Sequence, residues 1–156
     1  MGQTRTRFER ALHLLRRDAA EADHLTALVR RHYTDPSGWA LFEDSLGTLA
    51  ALSALGYHHA LLSNHVPELP TLLDHLGLGE PFEAVFNSAV TGFEKPHPEA
   101  FRLVERAFPG LQCVMIGDNP RADVAGAQAL GWPAFLVRTK QRRDLGGLTG
   151  WLADLP

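Results

Sequence analysis

Cys113-Val114-Met115-Ile116-Gly117-Asp118-Asn119-Pro120-Arg121-Ala122-Asp123-Val124 decides how the rest of the chain is read. An apolar run ends in a glycine and a carboxylate, and a helix-forming stretch follows. That order predicts a buried parallel strand, a tight turn and a helix start. Asp118 then stands at the carboxyl end of a strand, where open α/β sheets place their ligands. Asp123 falls in the first turns of the next helix and can face back toward the same crevice. Two carboxylates at a strand end suit a hard cation such as Mg²⁺, which takes oxygen ligands and keeps several waters. The same residues also fit a plainer reading, with Asp118 as a turn residue or N-cap and Asp123 as a first-turn acid favoured by the helix dipole.

Working outward, the chain of 156 residues is long enough for one domain with a real core, and 45% apolar with 21% charged residues is ordinary for a globular protein. Fifteen Lys and Arg against 18 Asp and Glu, a formal −3, argue against a nucleic-acid or anionic-membrane surface as the main business of the chain. The basic clusters Arg16-Arg17, Arg30-Arg31 and 140–143 are short and dispersed, and read as solvated faces. No apolar run has the length of a membrane span and no signal-peptide pattern opens the chain, so a cytoplasmic setting is expected. The single cysteine, Cys113, lies in the apolar run and reads as a buried thiol.

Elsewhere short apolar runs alternate with longer helical patterns. Residues 6–32 are helical in character, with apolar stripes at Phe8, Leu12, Leu15 and at Leu25, Leu28, Val29, and Asp18 followed by Glu21 as a helix start. Asp35-Pro36-Ser37-Gly38 breaks the pattern. Helices are predicted at 44–55, 68–76, 98–108, 122–130 and 148–155, with Gly56, Gly77 and Gly131 as stops. Strands are predicted at 57–62, 82–86, 113–116 and 134–137, and 87–97 is read as irregular. This alternation is the signature of an α/β fold, a parallel sheet with helices on its faces.

Three polar features then fall at successive strand ends: Ser63-Asn64, Lys95, and Asp118 with Asp123. Each matches a task in phosphoryl transfer. A hydroxyl and amides hold phosphate oxygens, an ammonium neutralises them, and carboxylates hold Mg²⁺ against them. Singly, Ser63 is also a helix cap, Lys95 a loop cation and Asp118 a turn former. The adjacent His58 and His59 point to opposite faces of a strand and cannot chelate one ion together. His65 and His97 could meet at the strand ends and are read as polar lining.

The order of these blocks resembles the haloacid dehalogenase-like hydrolase superfamily, in the subclass with a helical cap inserted early. Leu61-Leu62-Ser63-Asn64 looks like its second motif and Gly92-Phe93-Glu94-Lys95-Pro96-His97-Pro98-Glu99 like its third. Gly117-Asp118-Asn119 through Asp123-Val124-Ala125-Gly126-Ala127 looks like its fourth. The resemblance implies a three-layer Rossmann-like core over residues 41–156, with a partial helical cap over residues 1–40. It also implies roles: Ser63, Asn64 and Lys95 contact the phosphate, Lys95 and Asp118 serve catalysis, and Asp118 with Asp123 holds Mg²⁺. The implied substrate is a small phosphomonoester, since Gly117-Asp118 favours a Mg²⁺ phosphatase over a metal-free dehalogenase.

One departure stands out. The family opens with a strand ending in Asp-x-Asp, whose first Asp becomes an aspartyl-phosphate, and nothing of the kind precedes Ser63. The chain therefore reads as starting inside its cap, with the central first strand missing and little or no activity expected of it alone. The strands at 57–62 and 113–116 would then pair directly, or a missing N-terminal segment or a second copy of the chain would complete the sheet. Residues 4–8 are a weaker candidate for that place. The alternative function is a non-catalytic phosphate- or metal-binding, regulatory domain.

Overall fold

A computed structural model of the chain describes residues 19–139 and 143–155. The apolar stripe at Phe8, Leu12 and Leu15 and the strand candidate at 4–8 lie outside these residues. Helix α1 (Ala19–Tyr33) carries Glu21 in its first turn and Arg30, Arg31 and His32 in its last, the charge order that a helix dipole favours. The predicted break is a 3₁₀ turn (Pro36–Gly38) capped by Asp35, whose carboxylate accepts from the Ser37 N–H at 3.0 Å. Then follow α2 (Ser45–Ala54), β1 (Ala60–Ser63), α3 (Leu69–His75), β2 (Ala84–Asn87), α4 (Ser88–Thr91) and α5 (Pro98–Ala107). The chain continues through β3 (Met115–Gly117), a π-helical turn (Pro120–Ala125), α6 (Gly126–Gln128), β4 (Ala134–Leu136) and α7 (Leu148–Ala153).

The strands form two parallel pairs. β1 lies on β2, with Ala60 opposite Ala84 and Ser63 opposite Asn87, and β3 lies on β4, with Gly117 opposite Leu136. Neither pair is hydrogen-bonded to the other, so the direct pairing of the first and third strands does not occur. What unites the pairs is α5. Phe101, fully buried, meets the Trp132 ring edge to face at 5.5 Å, and Ala60, Leu62, Phe86, Met115 and Ala134 pack on the same cluster. The opposite faces of β3 and β4 send Ile116 and Phe135 into a second cluster with Leu52, Leu148 and Leu152. One-residue alternation along β3 and β4 thus serves two layers of helix, as a three-layer α/β architecture requires.

Several boundaries differ from expectation for local reasons. β1 begins at Ala60 rather than at residue 57 because Tyr57 still belongs to the exit of α2. Gly56 takes a φ of +86° and donates to Ser53, and the Tyr57 N–H reaches back to Leu52. Cys113 and Val114 precede β3, whose first bond is Met115 N–H to Pro133 O at 2.9 Å. Cys113 is only half-buried, and that burial raises its thiol pKa. The stretch 87–97 is not wholly irregular, because the Asn87 side chain caps α4 by accepting from the Ala89 N–H at 3.0 Å. The helix predicted at 122–130 is a π-helical turn followed by a short α segment. A Cβ at Gly126 would lie 2.8 Å from Phe101 Cζ and 3.0 Å from Pro96 Cβ, so only glycine lets this segment sit so low on α5.

A polar clamp joins residues far apart in sequence. The Arg138 guanidinium pairs with Asp44 at 2.6 Å, lies 3.9 Å above the Phe42 ring and donates to Arg143 O, while Asp44 also accepts from the Leu145 N–H at 2.7 Å. The hydrogen bond from Arg138, then that from Leu145, holds the Asp44 carboxyl below its ordinary pKa. A depressed carboxylate stabilises the fold above its unfolded-state value of about 3.9, and that stabilisation is lost as pH falls through the folded value. Asp44→Asn is therefore expected to lower the urea midpoint at neutral pH, with the difference from the parent shrinking in acid. A difference that does not vary with pH would count against this clamp.

Candidate active site

Ser63 is the last residue of β1, and the loop after it is held on three sides. The Asn64 side chain accepts from the Lys95 N–H at 2.7 Å and donates to Lys95 O at 2.9 Å. The His65 N–H donates to Ser88 Oγ at 3.2 Å, and Asn87 Nδ2 donates to Val66 O at 2.8 Å. Asn87 and Ser88 are buried at the end of β2. Their signal in the sequence is a pair of polar residues closing an apolar strand, and the reading of 87–97 as irregular passed over it.

Lys95 extends from this anchored loop. Its ammonium donates to Leu62 O at 2.6 Å and meets Asp123 Oδ1 at 2.7 Å, with side-chain exposures of only 10% and 6%. Asp123 Oδ2 in turn accepts from the Asn119 N–H at 2.9 Å. Asn119 caps the π-helical turn, its Oδ1 accepting from the Arg121 and Ala122 N–H groups. The cap is thus Asn119 and not Asp118. The wide turn brings Asp123 back across β3 so closely that a Cβ at Gly117 would overlap its carboxylate.

Asp118 is exposed at the end of β3. Among the described residues neither its carboxylate nor the Ser63 hydroxyl has a side-chain hydrogen bond. Ser63, Lys95 and Asp123 are brought to one edge, which β3 shares through Gly117, and Asp118 borders it as an exposed carboxylate. Asp118 has the hard oxygen donors that Mg²⁺ takes and room for water beside it. Among the described residues no three His, Cys, Asp or Glu side chains cluster at one point.

The two histidines considered for the strand ends do not meet. His65 stacks on Tyr33 at 5.1 Å and lies 5.6 Å from Trp39, and Arg30 of α1 pairs with Glu68 in the same loop. Burial in this aromatic cluster lowers the His65 pKa. His97 instead caps α5, accepting from the Glu99 N–H at 3.2 Å, with its ring 5.0 Å from Phe93.

Lys95→Met would leave Asp123 buried without its counter-charge and is expected to cost on the order of 3–5 kcal/mol in urea unfolding. Gly117→Ala would force the Asp123 carboxylate aside, at about 1–3 kcal/mol. Because both changes strike one contact, the double variant should lose less than the two losses added. Strict additivity would show that Gly117 does not act through the pair.

Known proteins point the same way. The family model for haloacid dehalogenase-like hydrolases matches residues 3–131. Haloacid dehalogenase-like hydrolase domain-containing protein 3 of Bos taurus is 31% identical over 131 residues, covering 82% of this chain and 52% of its own length. Phosphoserine phosphatase of Thermus thermophilus is 34% identical over 113 residues, covering 70% of this chain and 45% of its own. The chain thus spans about half the length of the curated relatives it matches. The magnesium-bound putative HAD-hydrolase YfnB of Bacillus subtilis superposes with a TM-score of 0.77 at 24% identity, over 98% of this chain and 73% of that one, and shares the fold. With a Lys95–Asp123 pair, Asp118 and Ser63 at the carboxyl ends of parallel strands, and a family match over most of its length, the chain belongs to the haloacid dehalogenase-like hydrolases.

Proposed function

We propose that this chain forms the phosphate-holding part of a Mg²⁺-dependent phosphatase of small phosphomonoesters. The observation that carries the reading is the buried Lys95 ammonium, fixed between Leu62 O and Asp123 at the end of β1, one residue from the Ser63 hydroxyl. A relative named as a phosphoserine phosphatase supports the substrate class. Ser63 donates to a phosphate oxygen and Lys95 balances the oxygens' charge. Asp118 holds Mg²⁺, with Asp123 behind it as the counter-ion that keeps Lys95 in place. When bound, Mg²⁺ supplies further stabilisation of charge on the phosphate oxygens.

The attacking carboxylate is the remaining part. The family's route needs an Asp-x-Asp after an apolar strand, and no such block precedes Ser63. We place it on an extended segment between β1 and β3, where the two strand pairs are not joined, supplied by an N-terminal segment; a second copy of the chain, which has no Asp-x-Asp of its own, could complete the sheet but not the chemistry. The chain by itself then binds phosphate and Mg²⁺ without turnover. A regulatory, non-catalytic reading is favoured by one fact: the Lys95 charge is already matched by Asp123.

The test is titration of the chain with inorganic phosphate in the presence and absence of Mg²⁺, alongside hydrolysis of p-nitrophenyl phosphate. Ser63→Ala should weaken phosphate binding about tenfold, the worth of a hydrogen bond to a charged group. Asp118→Ala should abolish the Mg²⁺-dependent part of binding. Steady turnover by the chain alone, lost in Asp118→Ala, would overturn the outside carboxylate, and absence of any phosphate binding would overturn the site.

A further inference from the structure

We infer that Asn64 is a positioning residue for Lys95 and not itself a ligand of the anion, an inference that rests on the phosphate site proposed above. One side chain satisfies both the N–H and the C=O of Lys95, at 2.7 and 2.9 Å, across 31 positions of sequence. An asparagine amide pairs with the N–H and the C=O of one residue in this two-point way much as a neighbouring strand would. The far end of Lys95 is tied to the same strand, its ammonium donating to Leu62 O at 2.6 Å. Leu62 and Asn64 flank Ser63, so Lys95 straddles that residue, bound on one side through its backbone and on the other through its charge. Asn64 therefore sets where the ammonium stands relative to the Ser63 hydroxyl. Its amide oxygen and one amide proton are spent in doing so, although the residue is exposed at the strand end.

The sequence offers a clean probe, because it contains two lysines, Lys95 and Lys140. In the full chain labelled with ¹⁵N-lysine, the side-chain ammonium signals are assigned by Lys140→Arg, and proton exchange at Lys95 is measured with and without inorganic phosphate. In the parent, Leu62 O and Asp123 slow that exchange. Asn64→Ala is expected to speed it by about tenfold, the effect of losing the two-point clamp, and to weaken phosphate binding in step. Asn64→Asp retains an acceptor for the Lys95 N–H, loses the donor to Lys95 O and should fall between the two. It carries the test if the alanine variant does not fold. Ser63→Ala should weaken phosphate binding and leave exchange at Lys95 unchanged, a separation that general loosening would not give. Unaltered exchange in the Asn64 variants overturns the inference, and if phosphate binding falls all the same, Asn64 is a direct ligand. Accelerated exchange in a chain that never bound phosphate upholds the positioning role and removes the anion site instead.

Discussion

The ion pair between Lys95 and Asp123 joins two halves of a sheet that no ladder of backbone bonds connects. Lys95 also holds β1 through Leu62 O, and Asp123 also holds the exit of β3 through the Asn119 N–H. Burying two charges is expensive unless their remaining hydrogen-bonding capacity is met, and here each partner has a backbone group to meet it. Two features follow from the need to close that contact. Residue 117 must lack a side chain, and the backbone from Pro120 to Ala125 opens into a wide π turn that swings Asp123 back over the strand. Such turns recur at functional sites because they re-aim a side chain without ending the helix.

Apolar packing performs the coarser part of the same task. Phe101 and Trp132 receive side chains from all four strands on one face, and Leu52, Leu148 and Leu152 receive Phe135 and Ile116 on the other. Contacts of this kind are non-directional and fix which layers meet. They do not fix a charge to within a few tenths of an ångström. Hydrogen bonds with defined donors and acceptors do that, and they gather at the carboxyl ends of the strands.

What could be read from the sequence divides along this line. Periodicity and glycine stops located the helices because those signals are local: Gly56, Gly77 and Gly131 all take positive φ and end helices as expected. The family blocks put Ser63-Asn64, Lys95 and Asp118 with Asp123 near successive strand ends, each being a short local motif, while the contact between Lys95 and Asp123 is visible only in three dimensions. Strand limits were less legible because strands of three or four residues are bounded by their partners. Met115 starts β3 where Pro133 offers a carbonyl, and nothing in Cys113-Val114 announces that. The cap at Asn119 and the separation of His65 from His97 were hidden likewise, since both depend on where a loop turns in space. Asn64 shows the limit best: nothing in its motif announces the two bonds to the Lys95 backbone, which only the three-dimensional path of residue 95 reveals.

Asparagine recurs at these strand ends for a reason that its chemistry supplies. Beyond β1, β2 and β3 the backbone has no ladder partner, yet its donors and acceptors still need one. Asn64 serves the peptide groups of Lys95, Asn87 takes Val66 O and the Ala89 N–H, and Asn119 takes the N–H groups of Arg121 and Ala122. A side-chain amide is short, uncharged, and both donor and acceptor, so it continues a ladder where the chain itself turns away. Aspartate would accept without donating and would add charge beside Asp118 and Asp123, while glutamine would reach too far and lose more rotamer freedom. At about 0.5–1.5 kcal/mol for each net bond, such contacts contribute little to overall stability. Their effect is local positioning: Asn64 ties the exit of β1 to Lys95, Asn87 ties that exit to the end of β2, and Asn119 closes the turn that carries Asp123.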